Sequence, residues 1–386
     1  MKVCFDTFGC RLNRAEALAQ EAGLIARGWQ TTESHADADL IIVRGCSVTS
    51  RAQRDCEKLV EHIINKYPTK RIVVTGCLSE KRNEAILRDL SLDEIPKRTA
   101  RAYLKVQDGC SGNCTFCIVP QFRGKSVSVA FDVALDKAKR FIDAGYHEIV
   151  VTGCNLTMYA SGGKRLADLV NAMASLDACC RVRTGSVEPT SAASELIDAM
   201  AENPNICRYL HLPIQSGSNM ILSAMHRPYS MKTVEDVVGK ALEKIPQLAI
   251  GCDLMVGFPG EGELEYLATR TIFRRIPISR THVFSYSERP GTVAAIMPNE
   301  VPKEIRHERA HELAKLADAE RTNYAKKMIG CEVEIVVEDE ESIAGWTSEY
   351  FWCRAQNDTT ARSRPKRRER VKMRVVKTEG HMLIGS

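Results

Sequence analysis

Short apolar runs alternate with longer amphipathic stretches from the first residues to about residue 286. In the first hundred residues the runs are Val3-Cys4-Phe5, Leu40-Ile41-Ile42-Val43 and Ile72-Val73-Val74. Each is brief, largely β-branched and continuous, the pattern of a strand buried on both faces. The stretches that follow have helical character. Glu16 to Arg27 stops at Gly28, Ser50 to Lys66 stops before Pro68, and Glu80 to Leu90 makes a third. Repeated β-α units predict a parallel sheet, because right-handed crossovers return each strand in the same direction.

The alternation continues with larger helices. Strands are expected at Tyr103–Val106, Glu148–Thr152, Arg181–Ser186, Arg208–His211, Ile250–Val256 and Arg280–Ser285. Helices are expected at Ala130–Ala144, Leu166–Leu176, Ser194–Glu202, Thr233–Lys244 and Leu264–Arg274. Six such units predict an incomplete (β/α)6 barrel with its site on the C-terminal edge of the strands. Pro302 to Lys327 is charged and alanine-rich and reads as an exposed linking helix. Beyond Gly330 the period changes to two, in Glu332–Val337 and again in Val371–Val376. Short strands over that length predict a small β-barrel. The fold class is α/β, in four parts: residues 1–100, 101–300, 301–329 and 330–386.

Composition narrows the class. The chain has 386 residues, 44% hydrophobic and 27% charged, as in a soluble globular protein. No run approaches the roughly 18 apolar residues of a membrane span, and Asp6 stands where a signal peptide would be apolar. A cytoplasmic protein without a membrane partner, and a monomer, is expected. Fifteen cysteines in a reducing compartment then favour metal ligands over disulfides.

Three of them form Cys110-x-x-x-Cys114-x-x-Cys117 after the first barrel strand and the turn-like Gln107-Asp108-Gly109. Three thiolates on one loop can hold three irons of a [4Fe–4S] cluster and leave the fourth open. A zinc site would pair Cys-x-x-Cys units or add histidines, and the nearest downstream histidine is His147. The bland alternative is three ordinary thiols. The spacing resembles the signature of the radical S-adenosylmethionine (SAM) enzymes, which implies that SAM binds the open iron.

Gly9-Cys10, Gly45-Cys46 and Gly76-Cys77 follow the three N-terminal strands. A parallel sheet puts all three at one edge, where open α/β sheets bind ligands. Cys10, Cys46 and Cys77 therefore suggest a second [4Fe–4S] cluster, although a single Gly-Cys pair would mean nothing. Cys4 and Cys56 fall inside a strand and a helix and read as core thiols. Polar, glycine-bearing segments follow several barrel strands: Thr152–Asn155, Gly185–Pro189, Gln215–Asn219 and Gly257–Glu261. They make Gly153, Glu188 and Gln215 candidates for contacts with SAM. Cys154 shares the post-strand position of the cysteine ligands.

The segment from Arg362 to Arg374 carries eight Lys or Arg residues, near Trp346, Tyr350, Phe351 and Trp352. Basic residues interleaved with aromatics suit looped or single-stranded RNA.

Over almost its whole length the chain resembles the radical SAM methylthiotransferases. The matching pieces include Thr7–Asn13, Gln107–Cys117, His211–Ser218, Gly257–Glu261 and His282–Ser287, and the C-terminal part looks like their TRAM domain. Val127 and Glu349 stand where the family often has arginine and asparagine. The resemblance implies that one cluster cleaves SAM reductively and the other supplies sulfur. It also implies a reducing electron donor and a sulfur donor, neither of which the residues identify. Ser186–Pro189 and Arg289–Thr292 look most like the branch acting on tRNA with N6-threonylcarbamoyladenosine at position 37. Branches acting on isopentenyladenosine or on a ribosomal-protein aspartate are the alternatives. In a different class, the chain would be a non-catalytic iron–sulfur RNA-binding protein.

Overall fold

The computed structural model describes residues 1–46, 50–77, 94–356 and 364–386. The expected helix at Glu80–Leu90 and residue Arg362 lie outside them. Four parallel strands open the chain: β1 (Lys2–Thr7), β2 (Gln30–Thr31), β3 (Leu40–Gly45) and β4 (Arg71–Gly76), in the order β2-β1-β3-β4. The central strand β3 is buried along its length, as its unbroken apolar run predicts. Helices α1 (Arg11–Ala26) and α2 (Ser50–Lys66) complete the β-α units. Cys4 and Cys56 are buried in the core beside Ile41 and Ile63, as expected.

Six further strands form the centre: β5 (Ala102–Lys105), β6 (Glu148–Thr152), β7 (Arg181–Thr184), β8 (Tyr209–Gln215), β9 (Ala249–Val256) and β10 (Ile278–Ser285). They pair in parallel as β7-β6-β5 and β8-β9-β10. Parallel bridges at Val182–Ile206 and Ser186–His211 join the two halves into an arc. The largest hydrophobic core lies between this arc and its outer helices. The final strands, β11 (Glu332–Asp339), β12 (Ala344–Thr347), β13 (Trp352–Ala355), β14 (Arg370–Glu379) and β15 (Met382–Gly385), close as a barrel in the order β11-β12-β13-β15-β14.

The helix at Lys303–Lys327 corrects one expectation. It packs along β10 and buries Arg306, Arg309, Leu313, Ala317 and Ala325. Arginines fill part of its inward stripe, so an apolar period never shows in the sequence. Arg306 donates to the carbonyls of Val301 and Tyr286 and to Glu288 and Glu300. Arg309 donates to Glu261 at 2.9 Å. The Gly257–Glu261 segment thus packs on this helix. A Cβ on Gly257 would lie 2.2 Å from Arg306 Cγ, and its φ of +73° suits glycine.

The C-terminal barrel is held to the arc by a buried carboxylate. Glu148, fully buried at the start of β6, accepts from Arg181 Nε at 2.7 Å and Arg183 Nε at 2.8 Å, with Arg101 at 3.6 Å. These arginines also reach across the joint. Arg181 donates to the carbonyls of Glu334 and Trp346, and Arg183 to those of Thr347 and Ser348. Removing one member of a buried ion cluster leaves the others uncompensated. Glu148→Ala is expected to destabilise the protein by about 3–5 kcal/mol. The check is the midpoint of chemical denaturation, which should fall far more for this variant than for the exposed Lys139→Ala.

Candidate functional site

The strand ends bring the N-terminal cysteine loops together. The pairing of β3 with β4 runs to Gly45 opposite Gly76, and that of β1 with β3 runs to Thr7 opposite Arg44. Cys10, Cys46 and Cys77 therefore follow the same edge. Gly9 lies against Cys46: a Cβ there would sit 2.6 Å from Cys46 Cβ, at a φ of +93°. The Cys77 amide donates to Gly45 O at 3.2 Å. Cys10 is exposed and opens onto a cavity of about 860 Å³. Arg11, Arg14, Arg101, Tyr103, Trp346 and Tyr350 contribute to its walls.

The other triad lies on the loop after β5, and hydrogen-bond donors surround it. Cys110 Sγ accepts from the Gly112 amide at 3.3 Å and from Asn155 Nδ2 at 3.8 Å. Cys114 Sγ accepts from Arg227 Nη1 at 3.1 Å. The Arg227 side chain is largely buried and pairs with Glu188 at 3.1 Å. Glu188 thus reaches the cysteine loop through one arginine. Burial pushes the Cys117 thiol up to about 11, with the neighbouring Cys114 and Cys110 adding to it. Binding iron there must displace a firmly held proton.

One side chain joins the two cysteine regions. Arg123, at the end of the short helix α3 (Val119–Arg123), points its Nε at Cys77 Sγ, 3.3 Å away. Its other nitrogens donate to Asn13, Glu16 and Asp108 at about 3 Å. Glu16, buried on α1, also pairs with Lys105 at 2.5 Å and with Arg44. Burial opposes its ionisation, yet Arg44, Arg123 and Lys105 outweigh that and hold its carboxyl near 2. Cys154 approaches Asp108 Oδ1 at 3.4 Å, and burial raises its thiol strongly.

The Radical SAM superfamily matches residues 104–270, and the uncharacterized protein family UPF0004 matches residues 2–95. Threonylcarbamoyladenosine tRNA methylthiotransferase MtaB of Chlamydia pneumoniae is 32% identical, over 86% of this chain and 85% of that protein. MtaB of Bacillus subtilis is 30% identical, over 90% of this chain and 89% of that protein. This chain belongs to the radical SAM tRNA methylthiotransferases. A tRNA-2-methylthio-N(6)-dimethylallyladenosine synthase of Aquifex aeolicus is 28% identical over 100% of the chain and 98% of that protein. The fold extends further. The radical SAM methyltransferase TsrM of Kitasatospora setae superposes with a TM-score of 0.57 at 12% identity, covering 76% of this chain and 75% of that one.

In this methylthiotransferase the three candidate contact residues have different surroundings. Gly153 packs on Gln107, with a Cβ placed only 2.8 Å from Gln107 Oε1. Its small size is thus used against protein. Gln215 ends β8 with a φ of +73°, a strained value for a side-chain-bearing residue. It borders a cavity of about 210 Å³ shared by Phe116, Cys117, Asp253, Met255 and Tyr286. Glu188 is tied to Arg227 as described.

The strands also assemble a group that the motifs did not reveal. Asp253 Oδ1 accepts from His211 Nε2 at 3.0 Å and from His282 Nδ1 at 3.2 Å. Tyr209 hydroxyl lies 2.8 Å from His211 Nδ1. Burial disfavours charge on Asp253, but the two histidines more than compensate and keep it ionised. An acid inside the apolar run Ile250–Val256 was the available signal. Arg227 and Arg123 carried none, since each acts through residues distant in sequence.

The C-terminal aromatics and bases are partly committed to the protein. Tyr350 packs against Tyr209 with the rings tilted and their centroids 5.0 Å apart, and Arg11, Arg183 and Arg280 each lie 4.8 Å from its ring. Phe351 is in the barrel core. Arg368 covers the Tyr146 ring at 3.7 Å and donates to the carbonyls of Lys97, Thr99 and Ala144. Arg370 pairs with Glu334. Arg364, Lys366, Arg367, Lys372 and Arg374 stay exposed.

The Glu16 cluster makes a pH-dependent joint. Its depressed carboxyl contributes stability that is complete above its ordinary value near 4.5 and is lost as pH falls toward 2. Glu16→Gln should lower stability at neutral pH and flatten this acid limb. Unfolding followed from pH 7 to 2 checks it, and an unchanged acid limb in the variant would contradict the assignment.

Proposed function

We propose that the protein inserts a methylthio group at C2 of N6-threonylcarbamoyladenosine at tRNA position 37, with SAM and two [4Fe–4S] clusters as cofactors. The observation that carries this reading is the placement of two cysteine triads on adjoining strand edges, bridged by Arg123. Donors aimed at Cys110, Cys114 and Cys77 suit thiolates in a negatively charged centre.

When bound, a cluster on Cys110, Cys114 and Cys117 supplies the electron for SAM cleavage, and one on Cys10, Cys46 and Cys77 supplies sulfur. The chain supports that chemistry. Arg227, held by Glu188 and Tyr229, keeps a cation at Cys114. Gln215 and Asp253 present polar groups to the cavity beside Cys117. α1 packs on β5 and β6, and so closes one side of the arc.

The threonylcarbamoyl substrate is favoured by the arginine-rich cavity at Cys10, where a carboxylate-bearing nucleoside can find bidentate donors and aromatic faces. The MtaB relatives support the same choice. The longer match to the dimethylallyladenosine synthase, over 100% of the chain, supports the second reading, an isopentenyl substrate.

Anaerobic reconstitution should load about eight irons per chain, and replacing Cys10, Cys46 and Cys77 by alanine should leave about four. Cys114→Ala should abolish reductive SAM cleavage, while a folded Cys46→Ala variant should keep cleavage and lose methylthiolation. Purified enzyme offered tRNAs bearing each modification should methylthiolate the threonylcarbamoyl form. Preference for the isopentenyl form would overturn the substrate and leave the reaction class standing.

A further inference from the structure

A buried guanidinium beside the second cysteine site has more donors than partners. Arg289 lies on the loop after β10 and is 7% exposed. Its Nη1 donates to Gln53 Oε1 at 2.7 Å, on α2, which begins shortly after Cys46. Its Nε and Nη2 are buried and have no partner among the described residues. The loop itself is braced. Thr292 N and Oγ1 both donate to Arg289 O, at 3.1 and 2.8 Å. Gln121 Nε2, on α3, donates to Gly291 O at 2.8 Å. Arg289 is therefore held between α2 and the helix that follows the Cys110–Cys117 loop.

The charges around it say what it awaits. Cys46 and Glu57 are the neighbouring groups that favour its charge, and Arg54 opposes it. Its side-chain hydrogen bond goes to the neutral Gln53, not to a carboxylate. A buried donor without an acceptor costs about 1–3 kcal/mol, and more when charged. Two such donors on one planar fork match an anion that arrives from outside the chain. Phosphate or carboxylate would suit the fork in general, but the Cys46 side chain is among the groups acting on Arg289.

We propose that Arg289 is the receptor for a small sulfur anion at the second cysteine site. Its free Nε–H and Nη2–H hold hydrosulfide, or a small thiolate, against the open iron of the cluster on Cys10, Cys46 and Cys77. Only ligand addition occurs: the sulfur lone pair enters the iron coordination sphere, and no oxidation state changes. Arg289 is thus a positioning residue that loads and orients the sulfur to be transferred. This inference rests on the two-cluster reading above.

The test isolates the second site in the full chain. Cys110, Cys114 and Cys117 are changed to alanine, iron is reconstituted anaerobically, and sodium hydrosulfide is titrated in. Binding is read from the shift of the reduced cluster's EPR spectrum. Arg289→Gln should keep about four irons and bind hydrosulfide at least roughly tenfold more weakly, the loss of one charged donor pair. Arg289→Lys, which keeps the charge and loses the fork, should fall between. Equal affinity in Arg289→Gln and the parent overturns the proposal. So does loss of iron in both Arg289 variants, which would make the guanidinium a partner of the cluster's own sulfides. If the parent with Arg289 intact loads no iron, the second cluster and this inference fall together.

Discussion

A buried carboxylate that must keep its cations sets the geometry of this molecule. Glu16 is on α1, Arg44 at the end of β3, Lys105 at the end of β5 and Arg123 beyond the Cys110–Cys117 loop. Four separate pieces of chain therefore meet at one charge. Desolvating that charge is expensive, and only the full set of partners offsets it. No partner can withdraw alone without leaving an ion stranded. The two cysteine regions inherit this mutual dependence, because Arg123 reaches Cys77 from the same knot. Glu148 repeats the device at the opposite joint with Arg101, Arg181 and Arg183. The chain thus joins its three sheet systems by burying acids among arginines as well as by apolar packing.

Much of this was legible in the sequence because strands and cysteine loops are local. β-Branched runs ending in Gly-Cys pointed to β1, β3 and β4, and the parallel-sheet rule placed their ends together. The Ser50–Lys66 helix and the Glu148–Thr152 strand have the boundaries expected. What escaped was carried by arginine. Arg306 and Arg309 occupy the inward stripe of the Lys303–Lys327 helix, where a period search expects leucine. Arg368 and Arg370 sit in a run that reads as an RNA-facing surface, yet both are spent on protein. Pattern rules treat arginine as outward, and long side chains with buried stems and paired heads defeat them.

The site shows the same division. The cysteine spacing is a property of one loop, so it survives without a structure. Asp253, His211 and His282 come from three neighbouring strands, and only the register of β8, β9 and β10 brings them together. Gly153 and Gly257 both follow strands, where a missing Cβ allows close packing. Each permits a close approach, but the approaching groups are Gln107 and Arg306. A glycine after a strand reports crowding without saying who crowds.

The latch between the arc and the C-terminal barrel has a consequence of its own. Tyr350 is inserted among Tyr209, Arg183 and Arg280, while Arg368, on the turn before β14, clamps Tyr146. A barrel pinned at two such points is no swinging hook on a flexible tether. Its exposed bases keep a set distance from the cysteine loops. Barrel and arc share one joint, anchored on the buried acid at the foot of β6.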